Sequence, residues 1–271
     1  MSEIHLQREV APFTSQIWEQ IDITVVESAQ SQLFGRRLIA VEGPFGLGLK
    51  SVSNRDEQIK AKTSEDVSVM FSSSLPLAMI QKNFVIGTRD IAAFERDKVT
   101  IDLGDAANAA IACARQENEF VFSGLRGQFP GLFNAAGFQS HKIKGWNEIG
   151  KAVEDVIHAV NMLDKSGFHG PYTLGLAPEL YNSLFHRYPQ GNTTEIEHLK
   201  ELISAGIFKA AGLPAGGILA ASGKQFASIL LGQDLMTGFV GPVTGGYEFS
   251  VTESFTLRLL VPEAFCVLKL G

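Results

Sequence analysis

The stretch that decides the architecture begins Ile39-Ala40-Val41-Glu42-Gly43-Pro44-Phe45-Gly46-Leu47-Gly48, runs through a polar middle from Ser51 to Ser68, and returns by Ser74-Leu75-Pro76-Leu77 to Ile86. Its three early glycines and many β-branched residues read as extended strands around a long arm. Such an arm cannot bury itself, so it either flops or lies on a neighbour.

The segments on either side are ordinary core-forming elements. Before the arm, Thr14 is placed to cap a helix whose apolar residues recur at Ile17, Ile21, Val25, Ala29 and Leu33, with Trp18 and Val26 expected to widen the stripe and Gly35 as its stop. After it, Asp105 opens the alanine-rich run Ala106-Ala107-Asn108-Ala109-Ala110-Ile111-Ala112, which predicts a long helix to Phe122. Gly124 to Gly145 reads as loop with short strands. From Asn147, Ile149, Ala152, Val153, Val156, Ile157, Val160 and Leu163 follow helical spacing up to Gly167. Pro171–Ala177 reads as a buried strand, Pro178 opens a short helix to Phe185, and Thr194 caps another to Ser204. Strands are expected at Gly217–Ser222, Phe226–Leu231, Met236–Val240, Tyr247–Thr252 and Phe265–Leu270. This order is α+β rather than an alternating βαβ pattern.

Composition narrows the function. The 271 residues fit one large domain or two intimately joined ones. Charged residues are only 19 % and hydrophobic residues 45 %, a balance that favours hiding surface against copies or partners. The net charge of -6 provides no basic footprint for nucleic acid. No apolar run is long enough for a membrane span, and Glu3, Glu9, Glu19, Asp22 and Glu27 stand where a signal peptide would be apolar, so a cytoplasmic protein is expected. Cys113 and Cys266, far apart and without CxxC spacing, are expected as buried free thiols.

Catalytic signatures are wanting. Neither G-x-G-x-x-G nor G-x-x-x-x-G-K-[ST] occurs, and G-x-S-x-G is missing. Glu195-Ile196-Glu197-His198 has the E-x-x-H spacing of di-iron bundles, but its nearest counterpart, Asp155-Val156-Ile157-His158, has the wrong carboxylate; a solvated charged face is the expected reading of Glu195–His198. His5, His141, His169 and His186 show no ligand spacing. No catalytic residue, metal site or cofactor is assigned.

Gly35-Arg36-Arg37, Val41-Glu42-Gly43-Pro44-Phe45-Gly46, Ser74-Leu75-Pro76-Leu77, Gly170-Pro171-Tyr172-Thr173-Leu174, Leu231-Gly232-Gln233-Asp234-Leu235 and Thr252-Glu253-Ser254-Phe255-Thr256-Leu257 together resemble the encapsulin shell proteins, the linocin-like bacteriocin family. The resemblance extends from the first helix to the last strand. It implies an α+β tailed-phage major capsid fold of the Hong Kong 97 type. Residues 1–40 would be an N-terminal arm and helix, 41–78 an extended loop, 79–132 and 224–271 a peripheral domain, and 133–223 an axial domain. It further implies a non-enzymatic shell subunit, assembling as sixty copies or a multiple into an icosahedral cytoplasmic container for iron-storage or peroxidase-type cargo.

By the same resemblance, a cargo protein docks its C-terminal targeting peptide at Phe34, Arg36, Ile229, Leu231 and Asp234. A bland reading stands beside it, in which Ile229 and Leu231 are strand core and Arg36 is an ion-pair partner. His186, Arg187, Tyr188, Gln190, Gly191, Asn192, Thr193 and Thr194 would form a loop at the five-fold pore. Arg89, beside Asp90, falls where some relatives carry a flavin-stacking tryptophan, so no flavin is carried over. The rival readings are a phage head protein that packages DNA and, last, a secreted bacteriocin or protease.

Overall fold

In the first helix, Ile17, Ile21 and Val25 are buried on one face, as their spacing requires, while Ile23 and Val26 lie outside that stripe and stay exposed. The computed structural model describes residues 3–60, 68–125, 129–189, 191–213 and 215–271. In chain order its elements are α1 (Ser15–Gln30), α2 (Gly35–Leu38), β1 (Ala40–Glu42), β2 (Ser51–Lys60), β3 (Ser68–Pro76), β4 (Ala78–Gly87), α3 (Thr88–Asp97) and α4 (Gly104–Ser123). They continue with β5 (Gly124–Leu125), β6 (Phe129–Pro130), β7 (Gln139–Ile143), α5 (Lys151–Lys165), β8 (Tyr172–Leu176), α6 (Pro178–Ser183) and α7 (Glu195–Leu202). The last are β9 (Gly206–Lys209), β10 (Gly217–Ala221), β11 (Ala227–Val243), β12 (Gly246–Leu259) and β13 (Phe265–Leu270).

The chain forms two compact units, one of residues 1–28, 42–113 and 230–258, the other of 29–41, 114–229 and 259–271. Both α4 and β11 run from one unit into the other.

In the first unit, β12 pairs antiparallel with β4 over ten residues, with Phe249 opposite Phe84. Those two rings stack at 5.2 Å, and Trp18, Phe13 and Phe239 close around Phe249. Arg8 lies over the Trp18 ring, bridges both oxygens of Asp22 at 2.5 and 2.7 Å and donates to the Thr237 carbonyl at 2.8 Å, which ties the N-terminal segment to this core. The Glu-Gly-Pro-Phe-Gly motif runs beside β11: Phe45 N–H donates to the Leu231 carbonyl and Gly46 N–H to that of Gly232. Gly43, at φ +114°, approaches so closely that a Cβ would stand 2.5 Å from the Leu231 oxygen. Only glycine fits there.

The arm is a two-stranded ribbon. β2 and β3 pair with each other from Ser51 opposite Pro76, with a bulge between Ser53 and Asp56, and join no other sheet. None of its described side chains is buried, and Met70 and Phe71 are 66 % and 58 % exposed.

The second unit holds a five-stranded mixed sheet in the order β7-β13-β10-β8-β9. Central strands β8 and β10 are buried at every position, the pattern of strands covered on both faces. Against this sheet α5 sets Ala152, Val156, Ala159, Val160 and Leu163. Gly150, at φ +95°, delays the start of α5, so Ile149 falls outside it, and Ile157 faces outward rather than joining the core stripe. Tyr172 donates its hydroxyl to Asp164 and to the Phe168 carbonyl, closing the connection from α5 to β8. That carboxylate is held below its ordinary range by the phenol and then by His169.

Three further differences from expectation have simple causes. The expected strands at 226–231 and 236–240 are one, β11, because the intervening polar residues find partners on β12. Gln233 N–H donates to Ser254 Oγ, and its side-chain amide donates to Thr252 Oγ1 at 2.8 Å. The short helix α3 was not anticipated; it buries Ile91 alone and is polar on average, so no apolar run marks it. Edge strand β9 has only four residues, too few for a period. Both cysteines are free and buried, as expected, and burial pushes each thiol up to about 11.

Candidate functional site

Of the expected docking residues, Phe34 lies in the turn between α1 and α2 and Arg36 in α2 itself, and α4 holds both. Glu117 of α4, fully buried, accepts from Arg36 Nε at 2.9 Å and from a terminal guanidinium nitrogen at 2.7 Å. The next residue, Asn118, accepts from Gly35 N–H and donates to the Gln32 carbonyl. The Gly-Arg-Arg motif is thus a clamp: Gly35 packs on Val121, and Arg36 neutralises the carboxylate. Beside the clamp is a concave surface lined by Gln32, Phe34, Arg115, Asn118, Glu119 and Gly212. Phe34 is half-buried there and open to a ligand.

The other expected docking residues sit on β11. Ile229 belongs to the same unit as Phe34 and Arg36; Leu231 and Asp234 belong to the other. Ile229 and Leu231 are packed inside, at 0 % and 2 % exposure, in keeping with the strand-core reading. Asp234 is partly exposed and caps the Leu235 N–H at 2.8 Å.

The loop expected at a pore is built by backbone pairing. Arg187 bridges Thr194, and Tyr188 N–H donates to the Thr193 carbonyl. Thr194 is the N-cap of α7, as expected, and Glu197 completes a capping box by accepting from the Thr194 backbone N–H and hydroxyl, bonds that hold its carboxyl below the ordinary range. His186, Arg187, Gly191 and Asn192 are exposed; Gln190 lies outside the described residues. Tyr188 stacks on His198 at 4.8 Å.

Glu195–His198 is not the uniformly solvated face expected. Glu197 and His198 face solvent, but Glu195 is buried, with Oε1 accepting from Gly150 N–H at 2.8 Å and Oε2 without a partner. The hydrogen bond to the Gly150 backbone ties it to the start of α5. One constellation was missed in the sequence: Asp155 accepts from His141 Nε2 at 2.8 Å and from Trp146 Nε1 at 3.0 Å, and the His158 ring lies 5.0 Å from that of His141. His141 is on β7 and His158 on α5, so spacing along the chain could not reveal the pair.

The described residues thus combine a mixed α+β architecture with an exposed two-stranded arm. The structure matches the virus-like particle of Pyrococcus furiosus with a TM-score of 0.72 and 22 % identity, covering 93 % of this chain and 99 % of that one. It matches the capsid of Myoviridae phage XM1 with a TM-score of 0.57 and 12 % identity, covering 87 % and 90 %. The fold is therefore the tailed-phage capsid fold. In sequence, the chain is similar to the type 1 encapsulin shell protein EncA of Myxococcus xanthus, 28 % identical over 269 residues that cover 95 % of this chain and 94 % of that protein. The family model Linocin_M18, encapsulating protein for peroxidase, matches residues 3–256, and the chain belongs to that encapsulin family.

Proposed function

We propose that the chain is the subunit of a closed icosahedral shell of sixty copies or a multiple, which encloses cargo enzymes of the peroxidase or iron-storage class in the cytoplasm. The observation that carries this reading is the family match across almost the whole chain. The phage-head alternative is weaker, since the net charge of -6 suits a container for protein better than one for DNA. In this reading the arm within 41–78 drapes over an adjacent copy. Residues 1–40 are the N-terminal arm and helix, 79–132 and 224–271 the peripheral domain, and 133–223 the axial domain. His186–Thr194 lines a pore that passes small solutes.

Cargo is held through a C-terminal peptide docked at Phe34, Arg36, Ile229, Leu231 and Asp234. The half-buried ring of Phe34, on the concave surface beside the clamp, supports direct contact. Ile229 and Leu231, packed inside, would serve by holding their strand in place. Protein purified from its native host is expected to elute as megadalton particles that appear hollow in negative stain and carry cargo. A clean monomer or dimer would end the proposal. Phe34→Ala is expected to lower co-purified cargo several-fold with particles intact; unchanged loading would remove Phe34 from the docking surface.

A further inference from the structure

We propose that His141 and His158 form a surface site for one late first-row divalent cation of the zinc, nickel and copper class, with Asp155 as the group that orients His141. The argument begins with the tautomer. Asp155 accepts on both oxygens, from the indole N–H of Trp146, which can only donate, and from Nε2 of His141. The proton of a neutral His141 is therefore on Nε2, and Nδ1 presents its lone pair. A carboxylate holding one imidazole nitrogen while the other faces a metal is the usual outer-shell arrangement, which raises ligand basicity and fixes the ring. Both His141 and Asp155 are largely sheltered, at 18 % and 19 % side-chain exposure, so the orientation is held by packing.

The second imidazole stands at the right separation. His158 follows Asp155 by three residues on α5 and so shares its helix face. Its exposed ring lies 5.0 Å from that of His141, centre to centre, at 81°. With metal–nitrogen bonds near 2.1 Å and tetrahedral angles, two imidazoles on a common ion have centres roughly 5 Å apart. Among the described residues no further hydrogen-bond partner competes for the free nitrogens of either ring. Lys151 is engaged by Glu154 at 2.7 Å, and both line the same open cleft as the two histidines. Among the described residues no group of three or more His, Cys, Asp and Glu side chains is arranged around a metal. The ion would thus keep water in its remaining positions, and imidazole ligands select copper, nickel and zinc over magnesium and calcium.

Calorimetric titration of the purified full-length protein with Cu²⁺ and Zn²⁺, in a buffer that does not chelate them, tests the site. One ion per subunit is expected, with Cu²⁺ the tighter and quenching the Trp146 part of the indole fluorescence. His158→Gln, at an exposed position, should weaken binding roughly ten-fold or more, and Asp155→Asn should weaken it by about ten-fold while keeping the stoichiometry. His169→Gln, at a separate exposed histidine, should change nothing. The proposal fails if the wild type binds neither ion, or if the His141→Gln/His158→Gln double variant binds Cu²⁺ as tightly as the wild type.

Discussion

Arg36→Ala is expected to destabilise the protein by about 3–5 kcal/mol, because it strands the Glu117 carboxylate in the interior. Glu117 has no exposure to water, and its two oxygens take three hydrogen bonds from that one guanidinium. Removing the cation leaves the full desolvation cost of the anion with nothing to offset it. In a unit of this size such a loss lowers the midpoint of thermal unfolding by on the order of 10 °C. The double variant Arg36→Met/Glu117→Leu should recover most of it, since a buried pair replaced by apolar groups is often neutral or better. Thermal scans of the three proteins separate the cases; an Arg36→Ala midpoint equal to the wild type would show that the pair contributes nothing. This matters for reading cargo experiments. A loss of loading in Arg36→Ala alone would mix docking with stability, which is why Phe34→Ala is the cleaner probe.

Replacing residues 52–75 by a short Gly-Ser turn is expected to abolish closed particles while leaving a folded subunit. Sixty copies at 29.4 kDa make a particle of roughly 1.8 MDa, so the change is between that mass and a single chain or small oligomer. The ribbon joins no other sheet and buries none of its described side chains, so its removal costs the subunit little. Its base is closed already, with Leu77 N–H donating to the Lys50 carbonyl at 2.9 Å, so a turn can bridge the gap without strain. An isolated two-stranded hairpin is marginal in water, and exposed side chains such as Met70 and Phe71 gain about 25 cal/mol per Å² when a neighbour covers them. Light scattering with circular dichroism reads both halves of the expectation. Should the deletion also unfold the chain, Met70→Ser/Phe71→Ser tests the same contact. Normal particles from either variant would show that the arm is not what binds the copies together.

Much of the fold could be read along the chain. The stripe of α1, the alanine-rich run of α4, the proline start of α6 and the Thr194 cap are local signals set within a few residues, and each was found where the sequence put it, whereas α1 already ends at Gln30 and Gly35, expected as its stop, opens α2. Less legible were elements whose cause lies elsewhere in the chain. The polar Gly-Gln-Asp segment of β11 looked like a break between strands, and becomes a strand interior only because Thr252 and Ser254 stand opposite. Glu195 looked like solvated charge until the Gly150 N–H was found within its reach.

The candidate sites divide in the same way. By itself the sequence determined the α+β order, the unburied arm and the buried thiols, since these follow from which residues are apolar, small or β-branched and in what period, while the family was legible only through the resemblance of its motif blocks to known shell proteins. Tertiary structure decided which polar side chains meet: Arg36 with Glu117, and His141 with Asp155 and His158. A hydrogen bond or ion pair is a matter of a few ångströms between residues tens of positions apart, and no periodicity along a chain encodes that distance.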